Sequence, residues 1–333
     1  MVNKLLKKAT DNNFLKELFF IIIYLPAVNF LYRKVYNERI KDKTAKFKLS
    51  DLIVSIEPSN TCNAQCIMCP YGKMTRPKEI MPMGLFKKIV DDCWREGVKN
   101  FNLNFYNEPF LDPLIFERIK YLKSKGVKVK LFSNGSVLSE EKTEELLKSG
   151  LDEINFSVDS HIKEVYEKIR KGLDFNIVVS NISYLTERRR ELGLNKPRIK
   201  VVFVGQKENK TEIKEYKNFW KSKADKIIIS FDDNRNNTSE FFDKHKKKKP
   251  FPCNKLWAEM NVVSSGKVAL CCVDYDAKET LGDFKTQSLR EIWNSEKFNE
   301  IRKKHLDYRA NEVSVCETCV HPHRLNLRSW WKK

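Results

Sequence analysis

No segment of the 333-residue sequence resembles a cleavable secretory signal. Its one conspicuous apolar stretch, residues 18–32, is shorter than the ~20 residues a spanning helix needs and is broken by Pro26. Secreted and membrane-spanning classes are set aside, and a cytoplasmic protein is expected. No internal repeat of solenoid length is visible, and no RNA-binding signature accompanies the charge, so nucleic acid is not an expected partner. Acidic residues are in deficit: Asp+Glu number 44 against Lys+Arg 63, a net charge of +19. That excess suits an anionic membrane or a phosphorylated substrate, or merely keeps a lysine-rich surface in solution.

The apolar stretch carries Lys4, Lys7, Lys8 and Lys16 before it and Arg33, Lys34 and Arg39 after it. Residues 1–49 therefore read as a partly apolar helical segment, a hairpin or a kinked helix. It would lie on the protein or, through residues 14–36, on the cytoplasmic face of a membrane. From residue 50 a strand–helix alternation runs six times, with short β-branched or aromatic strands at 52–57, 101–105, 127–132, 153–158, 199–204 and 226–230. Three intervening helices end on a basic residue followed closely by Gly97, Gly126 or Gly150, which suits a left-handed C′ position and a negative helix end. Repeated βα units need parallel crossovers, so residues 50–232 are expected to be α/β, a partial (β/α)6 barrel open on one side. Residues 233–252, with their basic run and two prolines, read as a linker. Beyond it, 259–263 and 267–271 read as a hairpin turning at 264–266, and 288–304 as one amphipathic helix, giving a small α+β domain over 253–333.

The chain has nine cysteines, and their close spacing favours iron–sulfur ligation in a reducing compartment over a disulfide scaffold. Cys62, Cys66 and Cys69 form CxxxCxxC directly after the first strand. Three thiolates on one loop reach three irons of a cubane and leave the fourth open, which suits a chelating ligand better than electron storage. Zinc would need a fourth ligand, and none is obvious nearby. The loop also falls at the C-terminal ends of parallel strands, where barrels carry their chemistry.

This motif in this position resembles the radical S-adenosylmethionine (SAM) superfamily, and the likeness runs over residues 50–232. The resemblance implies a [4Fe–4S] cluster that cleaves SAM to a 5′-deoxyadenosyl radical, fed by a donor such as flavodoxin or ferredoxin. It also implies SAM contacts residue by residue. Met68 stands where the family has an aromatic residue before the third cysteine. Tyr106-Asn107-Glu108-Pro109 resembles the GGEP segment with its glycines replaced, which makes Glu108 a partner of the cofactor amine. Ser133-Asn134-Gly135 resembles the TNG turn, and Ser157 and Asp159 end the fourth strand where the ribose contacts lie. Ile169-Arg170-Lys171-Gly172 resembles the IRxG segment, which points Arg170 at the cofactor carboxylate.

Cys253, Gly266 and Cys271 are spaced C-x12-G-x4-C, and Cys316-x2-Cys319 follows. Four thiolates close either a second [4Fe–4S] cluster or a zinc site. With Leu281-Gly282-Asp283 and 288–293 between them, they resemble the SPASM/twitch extension. Only His321 and His323 follow Cys319 as further candidate ligands, which suits the shortened form with one auxiliary cluster. Cys272 points away if the strand alternates, and both it and Cys93 are expected in packing. The resemblance implies an oxidoreductase acting on a sugar-like or other small-molecule C–H group, with peptide maturation as the alternative.

Overall fold

The computed structural model describes residues 26–231, 252–317 and Cys319. The N-terminal part of the apolar segment, nearly all of the linker, and His321 and His323 lie outside the described residues.

Six strands form the expected parallel array: β1 (Ile53–Ile56), β3 (Asn100–Asn102), β4 (Lys128–Ser133), β5 (Glu153–Ser157), β7 (Arg198–Gly205) and β8 (Lys226–Phe231). They pair in that order, every neighbour parallel. Two short strands, β2 (Gln65–Cys66) and β6 (Arg170–Lys171), make a separate antiparallel pair. Side chains alternate along each strand. In β7, Ile199, Val201 and Phe203 are buried in the same apolar core as helix residues Ile182 and Leu185, while Lys200, Val202 and Val204 take the other face.

The covering helices are α2 (Met83–Arg95), α3 (Ile115–Ser124), α4 (Glu140–Lys148), α5 (Lys163–Ile169), α6 (Phe175–Glu191) and α7 (Ile213–Trp220), after an N-terminal α1 (Pro26–Lys46). Pro26 is the first residue of α1, where a missing N–H costs nothing. Ser139 caps α4 through Lys142 N–H, and Asp174 caps α6 through two amides. Gly97, Gly126 and Gly150 all have positive φ, as the helix-end reading required.

The C-terminal hairpin, β9 (Glu259–Val262) and β10 (Lys267–Ala269), turns at Gly266, and β11 (Thr280–Asp283) adds to it. β9 pairs in parallel with β1, so one nine-stranded sheet runs through both parts of the chain. The single helix expected at 288–304 is instead two, α8 (Leu289–Trp293) and α9 (Glu296–Leu306). Ser295 ends the first by capping the second through Phe298 N–H, and serine prefers that role to a helix interior. A last turn, α10 (Ser314–Glu317), carries Cys316.

Candidate active site

The loop after β1 carries Cys62, Cys66 and Cys69, and the loops of later strands hold it in place. Thr61 carbonyl accepts from Glu108 N–H at 2.8 Å, and Ile67 N–H donates to Ile169 carbonyl at 3.0 Å. Asn63 Oδ1 accepts from Asn134 Nδ2 at 2.9 Å, and Asn63 Nδ2 donates to Ser136 Oγ. Cys62 N–H donates to Tyr71 Oη at 2.8 Å. Cys66 pairs with Arg170 across β2 and β6, and Arg170 Nη1 lies 3.5 Å from Cys66 Sγ. A three-cysteine loop needs such external bonds, since it has little regular structure of its own.

The same bonds bring most of the sequence-predicted residues together. Glu108 is buried; its Oε2 accepts from Asn134 N–H at 2.6 Å and its Oε1 from Ser133 Oγ at 2.8 Å. Burial raises its ionisation to about 7, against the donors at Asn134, Ser133 and Phe110. Asp159 is fully buried; its Oδ2 accepts from Arg170 Nε at 2.7 Å and its Oδ1 from Val204 N–H. Met68 and Ser157 are half-buried on the loop and at the end of β5.

A further pair went unread in the sequence. Glu57, immediately after β1, is fully buried and forms a bidentate bridge to Arg76 at 2.7 and 2.9 Å. Ser264 N–H also donates to Glu57, and Arg76 Nε donates to Tyr275 carbonyl. Tyr106 Oη donates to Cys272 carbonyl at 2.7 Å. These contacts tie the barrel mouth to the C-terminal domain. Glu57 and Arg76 lie outside any motif, and only the oddity of a carboxylate ending an apolar strand could have flagged them.

None of the nine cysteines is in a disulfide. In the C-terminal set, Cys271 interacts electrostatically with Cys316 and Cys319, and Cys316 with Cys319 and Cys253. Cys272 does not point away into packing. β10 stops at Ala269, so strand alternation ends before Cys271, and the turn that follows sets Cys272 beside Lys255 and Cys253. Cys93 is fully buried on α2, as a packing residue should be. Fully buried His305, which no motif marks, stands between two of the cysteines: Cys253 N–H donates to Nδ1 at 3.2 Å, and Nε2 lies 3.4 Å from Cys316 Sγ.

Burial pushes the Cys62 thiol up to about 12, with Glu108, Cys66 and Cys69 adding to the rise. It pushes Cys253 to about 11 and drives Cys271 and Cys316 well above the ordinary thiol value. Such sulfurs keep their protons until a cation replaces them. Among the described residues no three His, Cys, Asp or Glu side chains close on a single-ion position. A cubane instead seats each thiolate on its own iron. Arg302, buried on α9 with its ionisation lowered by burial to about 9, is stacked between Trp293 and Phe298 at 4.0 and 3.6 Å from their ring centres. Soft thiol donors in two sets fit iron–sulfur clusters.

The radical SAM superfamily model matches residues 56–219, and the SPASM iron–sulfur cluster-binding domain model matches 253–320. A tungsten-containing aldehyde ferredoxin oxidoreductase cofactor-modifying protein of Pyrococcus furiosus is 28% identical over 162 residues, 48% of this chain and 45% of its own length. The chain spans less than half the length of the first curated relatives it matches, 45% and 41%. The crystal structure of Streptococcus suis SuiB bound to precursor peptide SuiA superimposes with a TM-score of 0.63 at 15% identity, over 79% of this chain and 69% of that one. BtrN in complex with AdoMet and 2-DOIA does so with a TM-score of 0.54 at 16% identity, over 80% and 92%. At these identities the likeness is one of fold.

Proposed function

This chain belongs to the radical SAM superfamily and carries a C-terminal SPASM domain, with the [4Fe–4S] cluster, SAM and auxiliary iron–sulfur chemistry that those domains imply; from that premise we propose that it is an oxidoreductase removing a hydrogen atom and then an electron from a polar small molecule. What carries the reading is the C-terminal group of thiols, in which Cys253, Cys271, Cys316 and Cys319 are taken as the ligands and Cys272 lies beside Cys253. Four thiolates leave no iron of an auxiliary cluster open to substrate, which suits an electron acceptor. The sheet face opposite the helices supports the substrate class, since Ser55, Asn102, Lys130, Asn155 and Lys200 occupy its register positions among the apolar Phe132, Val202 and Val204. Polar groups set among apolar ones suit hydroxylated or charged substrates.

When bound, the cofactors supply one electron to SAM, a 5′-deoxyadenosyl radical that takes the hydrogen atom, and an acceptor for the electron the substrate then gives up with a proton. Cys62, Cys66 and Cys69 hold the barrel cluster in this reading. Met68, Glu108, Asn134, Ser157, Asp159 and Arg170 form the wall for SAM. Asp159 fixes Arg170 through Nε, orienting the guanidinium for a carboxylate. Glu108 and Asn134 act as one unit, because the backbone of one is bonded to the carboxylate of the other. An electron donor of the flavodoxin or ferredoxin type completes the cycle. The reading includes a cytoplasmic location and peripheral contact with an anionic membrane through residues 14–36, on the strength of the apolar stretch and its basic flanks.

Peptide maturation is the second reading, favoured by the fold likeness to SuiB, which was captured with a precursor peptide. Transfer of deuterium from a labelled polyol or a labelled peptide into 5′-deoxyadenosine separates the two. The central assignment is tested by iron content. Anaerobically reconstituted protein should hold about eight irons, and the Cys62→Ala/Cys66→Ala/Cys69→Ala variant about four with no 5′-deoxyadenosine formed. Cofactor cleavage by that variant would sink the reading. Zinc retained in place of iron at the second set would sink its auxiliary half.

A further inference from the structure

His305 is fully buried near the end of α9, with both ring nitrogens engaged. The Cys253 amide can only donate, so Nδ1, at 3.2 Å, must be an acceptor without a proton. A neutral imidazole carries one proton, which is therefore on Nε2, 3.4 Å from Cys316 Sγ. The direction of that contact is fixed as N–H to sulfur. A thiol sulfur is a weak acceptor, whereas a metal-bound thiolate is a good one.

We propose that His305 is a positioning residue that raises the reduction potential of the auxiliary cluster by donating Nε2–H to Cys316 Sγ, while its Nδ1 anchors the turn that carries Cys253. The inference rests on the four-thiol reading of the second cysteine set. Reduction adds negative charge to the cluster and its sulfurs, and a donor aimed at a ligand sulfur stabilises the more negative state. Arg302, one turn earlier on α9, donates Nε to Leu256 carbonyl at 3.1 Å and so holds the same turn, with its guanidinium stacked on Trp293 and Phe298. A higher potential is what an acceptor of a substrate-derived electron needs.

The test uses the full chain with Cys62, Cys66 and Cys69 replaced by Ala, so that one cluster contributes to the spectrum. In an EPR-monitored redox titration, His305→Phe should make reduction about tenfold less favourable, ~59 mV lower for a one-electron couple. His305→Gln, whose amide can offer an N–H near the Nε2 position, should recover most of the difference. An unchanged potential in His305→Phe, with about four irons retained, overturns the proposal. Should His305→Phe fail to hold iron, the unsubstituted histidine decides. In reduced protein labelled with ¹⁵N-histidine and exchanged into D₂O, pulsed EPR should show a histidine nitrogen and an exchangeable deuteron coupled to the cluster, and absence of both overturns it. No iron in the triple variant would strike the four-thiol reading, and the inference with it, a failure distinct from an unchanged potential.

Discussion

Glu108 sits among three donors and still titrates high, because burial outweighs them. Its folded value of about 7 lies above the ordinary 4.5, so the native state keeps the proton longer than the unfolded chain does. Stability from this group is therefore complete below about pH 4.5 and is lost as pH rises towards 7 and just beyond, by up to ~3 kcal/mol. Melting the cofactor-free protein between pH 5 and 8 should show that decline in the wild type and a flatter profile in Glu108→Gln. Parallel profiles would mean that the carboxylate is ionised throughout. In the proposed reading, an ammonium group of SAM seated beside Glu108 would favour the charged form. The Glu57–Arg76 bridge follows a different logic. There the carboxylate already has its cation, and the pair serves to join two parts of the chain.

Among the elements, the turn after β10 carries the most chemistry on the least regular structure. Buried Asp274 holds it: its carboxylate accepts from the amides of Leu270, Lys278 and Glu279 at 3.2, 2.8 and 3.1 Å. Asp274→Ala would leave those amides without their acceptor, at roughly 1–3 kcal/mol for each that stays buried. The expected result is a lower melting temperature and loss of auxiliary iron with the barrel cluster retained; full iron at both sites would show that the cluster alone can fix the turn. The six parallel strands, the glycine helix ends, the hairpin and the three-cysteine loop were legible in the sequence, because period, punctuation and ligand spacing are local signals. The parallel pairing of Ile53 with Glu259 was not, since nothing near either residue announces a partner so distant in the chain. Likewise the break at Ser295 hides inside an unbroken amphipathic period, and Cys272 escapes strand alternation because β10 ends at Ala269. His305 was invisible for the same reason: its partners, Cys253 and Cys316, come from two other elements.

At the scale of the whole molecule, α1 bears on the +19 charge and on the C-terminal domain at once. Tyr36 and Ile40 are buried, Tyr36 Oη donates to Pro252 carbonyl at 3.0 Å, and Asn37 Nδ2 donates to Leu306 carbonyl at 3.0 Å. Those bonds clasp the chain beside Cys253 and the residue after His305, so α1 braces the auxiliary site. Burying the two side chains contributes roughly 1.5–3 kcal/mol each. Phe30 is 75% exposed on the same helix, and Val35 39%. No helix among the described residues is long and apolar enough to cross a membrane. Exposed apolar side chains with basic neighbours can still lie at a headgroup boundary, where each Lys or Arg adds ~1 kcal/mol on anionic lipid. Two measurements on the full chain and on a chain starting at Lys46 separate these roles. The shorter chain should melt lower and lose auxiliary iron more readily, because it lacks the Tyr36 and Asn37 contacts. It should also fail to co-sediment with phosphatidylserine vesicles that carry the full chain down at ~0.1 M salt. Raising salt to ~1 M shortens the Debye length from about 10 to about 3 Å and should release much of the bound full chain. Equal sedimentation of the two chains would remove the membrane role and leave the brace, whereas equal melting would remove the brace.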